Sequence, residues 1–222
     1  MQFDINRDVL LKSLNFVQGV VEKKNTLPIL SNVLLNLKNN KLEIVATDLD
    51  IVFYDEISEL KVLEEGNTTT SANVLFDILR KIPSGTEIKF TLKSENKLSL
   101  KSKNSDFNLL CLPSSNFPTF DDKFDNEKIE IDKKNFLSLL NKTKISISND
   151  DTRHYLNGIY LHATESKNNT FLTGVATDSH RLSSSSMLVD NIKNFASVII
   201  PRKTIFQICS LLDNIDDKLV IQ

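Results

Sequence analysis

The tetrapeptide Val-Ala-Thr-Asp occurs twice, at 45–48 and at 175–178, and a longer self-similarity surrounds both copies. At a shift of about 126 residues, Phe3, Asp4, Ile5 and Asn6 fall on Ile129, Glu130, Ile131 and Asp132. Leu10, Leu11 and Leu14 fall on Phe136, Leu137 and Leu140, and 29–35 falls on 155–161. After an insertion of about four residues at 165–170 the two tetrapeptides coincide, and Phe76, Asp77 and Ile78 meet Phe206, Gln207 and Ile208. An apolar pattern that agrees over most of a domain's length constrains the chain to two copies of one fold.

The 222 residues suffice for two domains with cores of their own. The expected boundaries are 1–120 for the first copy and 128–222 for the second, with 112–127 as the connector. The first copy continues through Leu98, Leu100, Phe107, Leu109 and Cys111, which have no counterpart, so the chain is expected to be a fragment cut inside its second domain. Pro113 and Pro118 favour extended backbone in the connector, and Phe117 and Phe120 are its expected anchors. Cys111 and Cys209 lie in apolar runs without metal-type spacing, as reduced buried thiols do. Asp4, Arg7 and Asp8 stand where a signal peptide needs an apolar core, and no run is long enough to span a bilayer. A cytoplasmic protein with no membrane partner is expected.

Period and capping signals predict an α+β class, each copy having two helices against short antiparallel strands. Helices are predicted over 6–24 with Asn6 as cap, 71–82 with Ser71 as cap, 132–144 with Asp132 as cap, and from Pro201 onward. Val74, Leu75, Ile78 and Ile82 should point inward on the second helix, and Ile205, Ile208, Cys209 and Leu212 on the fourth. Strands are predicted at 32–37 and 42–46, joined by the turn Lys38 to Lys41, and at 87–92, 97–102, 107–112, 156–162 and 170–176, with one more before Pro201.

The net charge of -2 says little, but its distribution says more. The segments 6–24, 71–82, 132–144 and 201–213 carry 12 Lys or Arg against 5 Asp or Glu, and the remainder carries 15 against 24. Lys12, Arg80, Lys134 and Lys203 lie off the apolar stripes of their helices. Helices gathered on one side would give a basic face that attracts a phosphate backbone. Lysines on solvated helix faces are also the default of any water-exposed helix.

Thr177, Asp178, Ser179, His180 and Arg181 superficially form a catalytic cluster, with His180 as base and Asp178 as its orienter. Neighbours one and two apart on a turning strand end do not face each other in that way. Asp48 stands at the same place in the first copy, where Leu49 and Asp50 replace the Ser-His pair. A turn aspartate bonding backbone amides is therefore the simpler reading. No Walker loop, paired-glycine fingerprint, metal-spaced His/Cys set or nucleophile elbow is present, and no catalytic residue, metal or cofactor is assigned. Arg153 with His154 and Tyr155 suits single-stranded or distorted nucleic acid. Tyr155 aligns with Ile29 and is equally readable as core.

Together, 26–30, 46–49, Leu112 and Pro113 with Phe117 and Pro118, Arg153 with Asn157 and Gly158, 176–178 with His180, Arg181 and Leu182, and 201–203 resemble the bacterial sliding clamps, the beta subunits of DNA polymerase III. The resemblance runs along the whole chain in order. It implies the DNA clamp fold, tandem domains of two helices on antiparallel sheets, and a non-catalytic processivity factor that closes as a homodimer ring around double-stranded DNA. It places Lys24, Arg80, Arg153, His154, Tyr155, Arg202 and Lys203 toward DNA. Leu156, Thr177, Ser179, His180, Arg181 and Leu182 become this chain's share of a pocket for clamp-binding peptides of the polymerase III alpha subunit and the clamp loader. Lys101, Lys103 and Phe107 become part of the dimer edge. Two rival readings are an enzyme using Asp178, His180 and Arg181, and an interaction scaffold with no DNA role.

Overall fold

The structure is a computed structural model that describes residues 1–22, 27–120, 128–150, 152–166, 169–189, 195–214 and 219–221. The chain divides into two compact units, Met1–Phe120 and Asp121–Gln222.

In the first unit β1 (Gln2–Asn6) leads into α1 (Arg7–Val20), whose cap Asn6 accepts from the amide of Asp8. The helix was expected over 6–24. It stops at Val20 because Val21 turns to extended backbone, and residues 23–26, Lys24 among them, lie outside the described residues. β2 (Asn32–Lys38) and β3 (Lys41–Thr47) form the expected hairpin, with Asn39 and Asn40 at φ 52° and 58°. Two consecutive left-handed residues twist a two-residue turn in the same sense as its strands, and asparagine tolerates that backbone better than most residues. β4 (Val52–Ile57), β5 (Leu60–Glu64) and β6 (Gly66–Ser71) follow, then α2 (Ala72–Lys81), β7 (Glu87–Ser94), β8 (Lys97–Ser102) and β9 (Ser105–Leu112). Ser71 caps α2 by accepting from the amide of Val74. The buried side of α2 is Ala72, Leu75 and Leu79, continued by Ile82, while Ile78 is partly buried. Val74, expected inward, is 48% exposed, because it lies on the solvent side of the stripe that Leu75 and Leu79 define.

The strands form one antiparallel sheet in the order β4-β3-β2-β6-β9-β8-β7-β1-β5. The two helices pack on each other and against its strands. Phe3 and Phe90 pair across β1 and β7 with stacked rings 4.8 Å apart, both fully buried. Burying a side chain of that size contributes about 1.5–3 kcal/mol. The connector was expected to be extended, yet Ser114–Asn116 makes a 3-10 turn between its two prolines, capped by Phe117. Phe117 is buried and Phe120 is 36% exposed, so only the first is fully packed.

The second unit repeats the plan as β10 (Ile129–Ile131), α3 (Lys133–Thr143), β11 (Gly158–Ser166), β12 (Asn169–Thr177), β13 (Leu182–Val189), β14 (Val198–Pro201), α4 (Arg202–Asp213) and β15 (Leu219–Ile221). Asp132 caps α3 by accepting from the amide of Asn135 at 2.8 Å. The order β13-β12-β11-β14 repeats β4-β3-β2-β6, and the pair β10-β15 repeats β1-β7, so the duplication holds at the level of strand pairing. α3 and α4 pack on each other and on this sheet, with Phe136, Leu139, Leu140, Ile205, Cys209 and Leu212 buried. Two boundaries differ from expectation. The strand predicted from Leu156 starts at Gly158, because 154–156 forms a 3-10 turn. Pro201 is not the first residue of α4 but its cap, in extended backbone and still paired with Gly158. No helix among the described residues is long and apolar enough to cross a membrane.

Candidate functional site

In the antiparallel sheet of the second unit, the start of β11, the end of β12, the start of β13 and the end of β14 all lie at one end. The expected residues 153–157, 177–182 and 201–203 gather there because each is the chain just beyond one of those strand ends. Two hydrogen bonds tie these segments together, and a third, from Ser148, anchors the first of them. The amide of Ser148 donates to the carbonyl of Leu156 at 3.0 Å, the amide of Arg202 donates to the carbonyl of Asn157 at 3.0 Å, and Arg153 Nη1 donates to Ser179 Oγ at 2.9 Å.

The turn at 177–181 is built backbone first. Thr177 Oγ1 donates to the carbonyl of Arg181 at 2.7 Å and accepts from the amide of Ser179 at 3.2 Å. Asp178 Oδ1 accepts from the amides of His180 and Arg181, each at 3.0 Å, while Oδ2 accepts from Arg181 Nε at 3.0 Å. The amide bonds from Arg181 and His180, with the guanidinium, hold its carboxyl below the usual carboxylate range. The first unit repeats this arrangement. Asp48 Oδ1 accepts from the amides of Asp50 and Ile51 at 3.0 and 2.8 Å, and Thr47 Oγ1 donates to the carbonyl of Ile51 at 2.8 Å. A carboxylate saturated by its own turn is not presented to a histidine as an orienter must be. The turn reading of Asp178 accounts for both copies.

Ser179 has φ 77° and its counterpart Leu49 has φ 82°, a left-handed backbone that normally favours glycine. His180, Arg181 and Leu182 are exposed, Leu182 by 65%, while Leu156 and Thr177 are half-buried. Leu156 and Leu182 thus give this end of the sheet apolar side chains among polar ones. A separate cleft of about 280 Å³ lies between α3 and β13, lined by Asn135, Ser138, Lys142 and 185–188, and includes none of the expected pocket residues.

Arg153 is paired with Asp150 at 2.9 Å, and Asp150 is held below the ordinary range first by Thr152 and then by Arg153. His154 is exposed, and Tyr155 is 68% exposed, which settles its alternative reading in favour of the surface. Arg202 reaches the carbonyl of Ile147 at 3.5 Å and lies over the Phe206 ring, and Lys203 is half-buried beside it in sequence. Arg80 is in the first unit, at the last turn of α2, paired with Asp77 at 3.4 Å and over Phe76. Of the residues expected at a dimer edge, Lys101 lies on β8, flanked by β7 and β9 and paired with Asp106 at 2.8 Å, and Lys103 is in the following turn. Phe107 lies on β9, which meets β6 only at Cys111 and Leu112 among the described residues. Sequence reasoning gave no site role to Asp150, Lys144 or Phe206. The spacing of Phe206 four residues after Arg202, one helical turn, is the signal that would have found it.

Two family models match. The DNA polymerase III beta subunit N-terminal domain covers residues 1–121, and the central domain of the same subunit covers 130–222. The Caulobacter vibrioides beta sliding clamp is 36% identical over 225 residues, covering all of this chain and 60% of that protein. The Escherichia coli K12 beta sliding clamp is 36% identical over 222 residues, again covering the whole chain and 59% of its own length. The solved sliding clamp of Bartonella birtlesii bound to griselimycin superposes with a TM-score of 0.94 at 35% identity, covering all of this chain and 59% of that one. The chain thus spans about 60% of the length of the curated relatives it matches.

Proposed function

The chain belongs to the DNA polymerase III beta-subunit family, and from that premise we propose that it acts as a sliding clamp, a non-catalytic processivity factor of the replicative polymerase. In this reading 1–120 and 128–222 are clamp domains joined by 112–127, and the full-length protein closes as a homodimer ring around double-stranded DNA in the cytoplasm. Arg80, Arg153, His154, Tyr155, Arg202 and Lys203, with Lys24, face the phosphates, which are contacted without reading bases. Leu156, Thr177, Ser179, His180, Arg181 and Leu182 belong to a pocket that takes short peptides of the polymerase alpha subunit and the clamp loader. Phe107, paired with Leu100 of β8 on one edge of β9 and with no strand on the other edge among the described residues, belongs with Lys101 and Lys103 to the ring interface.

The observation that carries this reading is that Arg153, bonded to Ser179 of the exposed turn, and Arg202, bonded to Asn157, stand at one end of the second unit's sheet. Cations for a backbone and an apolar rim for a peptide are what a tether between DNA and an enzyme requires. The test is primer extension by the cognate polymerase on singly primed DNA, with the clamp loader and full-length protein. Longer products per binding event are expected, and replacing Arg202 and Lys203 by alanine should shorten them. Product lengths unchanged by adding the loaded protein would refute the proposal.

A further inference from the structure

Phe206 lies one helical turn after Arg202 on α4 and carries two cations on its ring. Arg202 Cζ is 5.2 Å and Lys144 Nζ is 5.4 Å from the ring centroid. The two cations reach the ring from different elements, Arg202 from the first residue of α4 and Lys144 from the 3-10 turn that ends α3. The ring is 40% exposed, so the group is at the surface.

Charge balance distinguishes this group from three arginines described above. Arg80, Arg153 and Arg181 each have a carboxylate within ion-pair distance, at 3.4, 2.9 and 3.0 Å. Among the described residues, neither Lys144 nor Arg202 has one. An aromatic face restrains a flexible cation without cancelling its charge. Two such cations on one ring repel each other, and an anion between or before them removes that repulsion. A paired arginine must give up a carboxylate before it binds a phosphate, whereas this pair has none to give up among the described residues.

We propose that Lys144, Phe206 and Arg202 form one phosphate-binding unit, in which Lys144 is an additional contact to the DNA backbone and Phe206 is a positioning residue for both cations. The inference rests on the reading of the chain as a DNA clamp and adds two residues to it. Each cation contributes its own term to the salt dependence of binding, while the ring contributes to affinity through the placement of its neighbours.

The experiment is a fluorescence-anisotropy titration of a labelled DNA duplex with the full-length protein across a series of salt concentrations. Lys144→Gln is expected to lower affinity and to reduce the slope of log K against log salt by about 0.9, the loss of one phosphate contact. Phe206→Leu should weaken binding several-fold, Phe206→Tyr should bind as the parent does, and Phe206→Leu should have no further effect once both Lys144 and Arg202 are removed. Urea melts of the variants verify that each is folded. Parental affinity and slope in Lys144→Gln and Phe206→Leu, with weakened binding in Arg202→Ala, would overturn this proposal and leave the clamp reading standing. Binding by the parent that does not change with salt would overturn both.

Discussion

Leu49 and Ser179 occupy the same left-handed position in two copies of one turn, and neither is glycine. A left-handed backbone at a residue with a Cβ costs on the order of 1–2 kcal/mol. It persists because the turn is over-determined by the aspartate and threonine bonds before and after it. The role of Asp178 was legible because the residue recurs as Asp48 where no histidine follows. The surface position of Tyr155 was not, since its register partner Ile29 is apolar and a tyrosine fits core or rim. A second aspartate makes a prediction with a definite sign. Asp8 accepts from Ser84 Oγ and from the amide of Gly85, each at 2.7 Å, and is paired with Arg7, which itself donates to the last carbonyls of α2. Ser84 first, then Arg7 and Gly85, lower its pKa from 3.8 to about 2. A depressed carboxyl adds stability above its unfolded pKa and loses it as pH falls through the folded one. Asp8→Asn should therefore have a lower urea midpoint than the parent at pH 7, and the gap should close between about pH 3.8 and about pH 2. A gap that does not change with pH would assign the effect to something other than the charge.

The four helices, the β2-β3 hairpin, β7 to β9, β11, β12 and β14 were legible from period and capping. β6 and β13 were not, because their sequences read as loops. Gly66–Ser71 is mostly hydroxyl, yet Thr68, Thr69 and Thr70 are buried. Thr69 and Thr70 donate to the carbonyls of Leu112 and Leu110 at 2.8 and 3.1 Å, so their burial leaves no donor unmade. The serine run of β13 is half-buried or exposed, yet it too is tied by partners on other elements, Ser183 bonding Ser146 at 2.7 Å and Ser186 bonding Thr173 at 2.8 Å. Such strands are specified by partners distant in sequence, which no local pattern displays. Gly158 is the element-level feature closest to function. It pairs with Pro201, and a Cβ there would run into the backbone carbonyl of Ile200 and the side chain of Ile199. Only glycine lets β14 approach closely enough to bring Arg202 beside Asn157. Gly158→Ala should cost about 1–3 kcal/mol in urea denaturation, as overpacking does, and should weaken DNA binding with it. Parental stability in this variant would show that β14 is free to shift.

At the scale of the molecule, the surplus of basic residues on the helical segments was readable by counting, whereas the stacking of Lys144 on the ring of Phe206, 62 residues away, was not. Arg80, Arg153 and Arg181 each follow an aspartate by three residues and pair with it, whereas Arg202 follows Ile199 at that spacing. Each unit packs its two helices together on its sheet, and the second repeats the strand order of the first. A ring built from such units holds DNA by topology, with phosphate contacts that are individually weak and screened by salt. That distinguishes it from a scaffold, which releases DNA by dissociation alone. The direct test is to load the full-length protein onto nicked circular DNA, isolate the complex by gel filtration, and then cut the circle once. The clamp account predicts retention on the circle and loss on linearisation, whereas equal retention on both forms would contradict it.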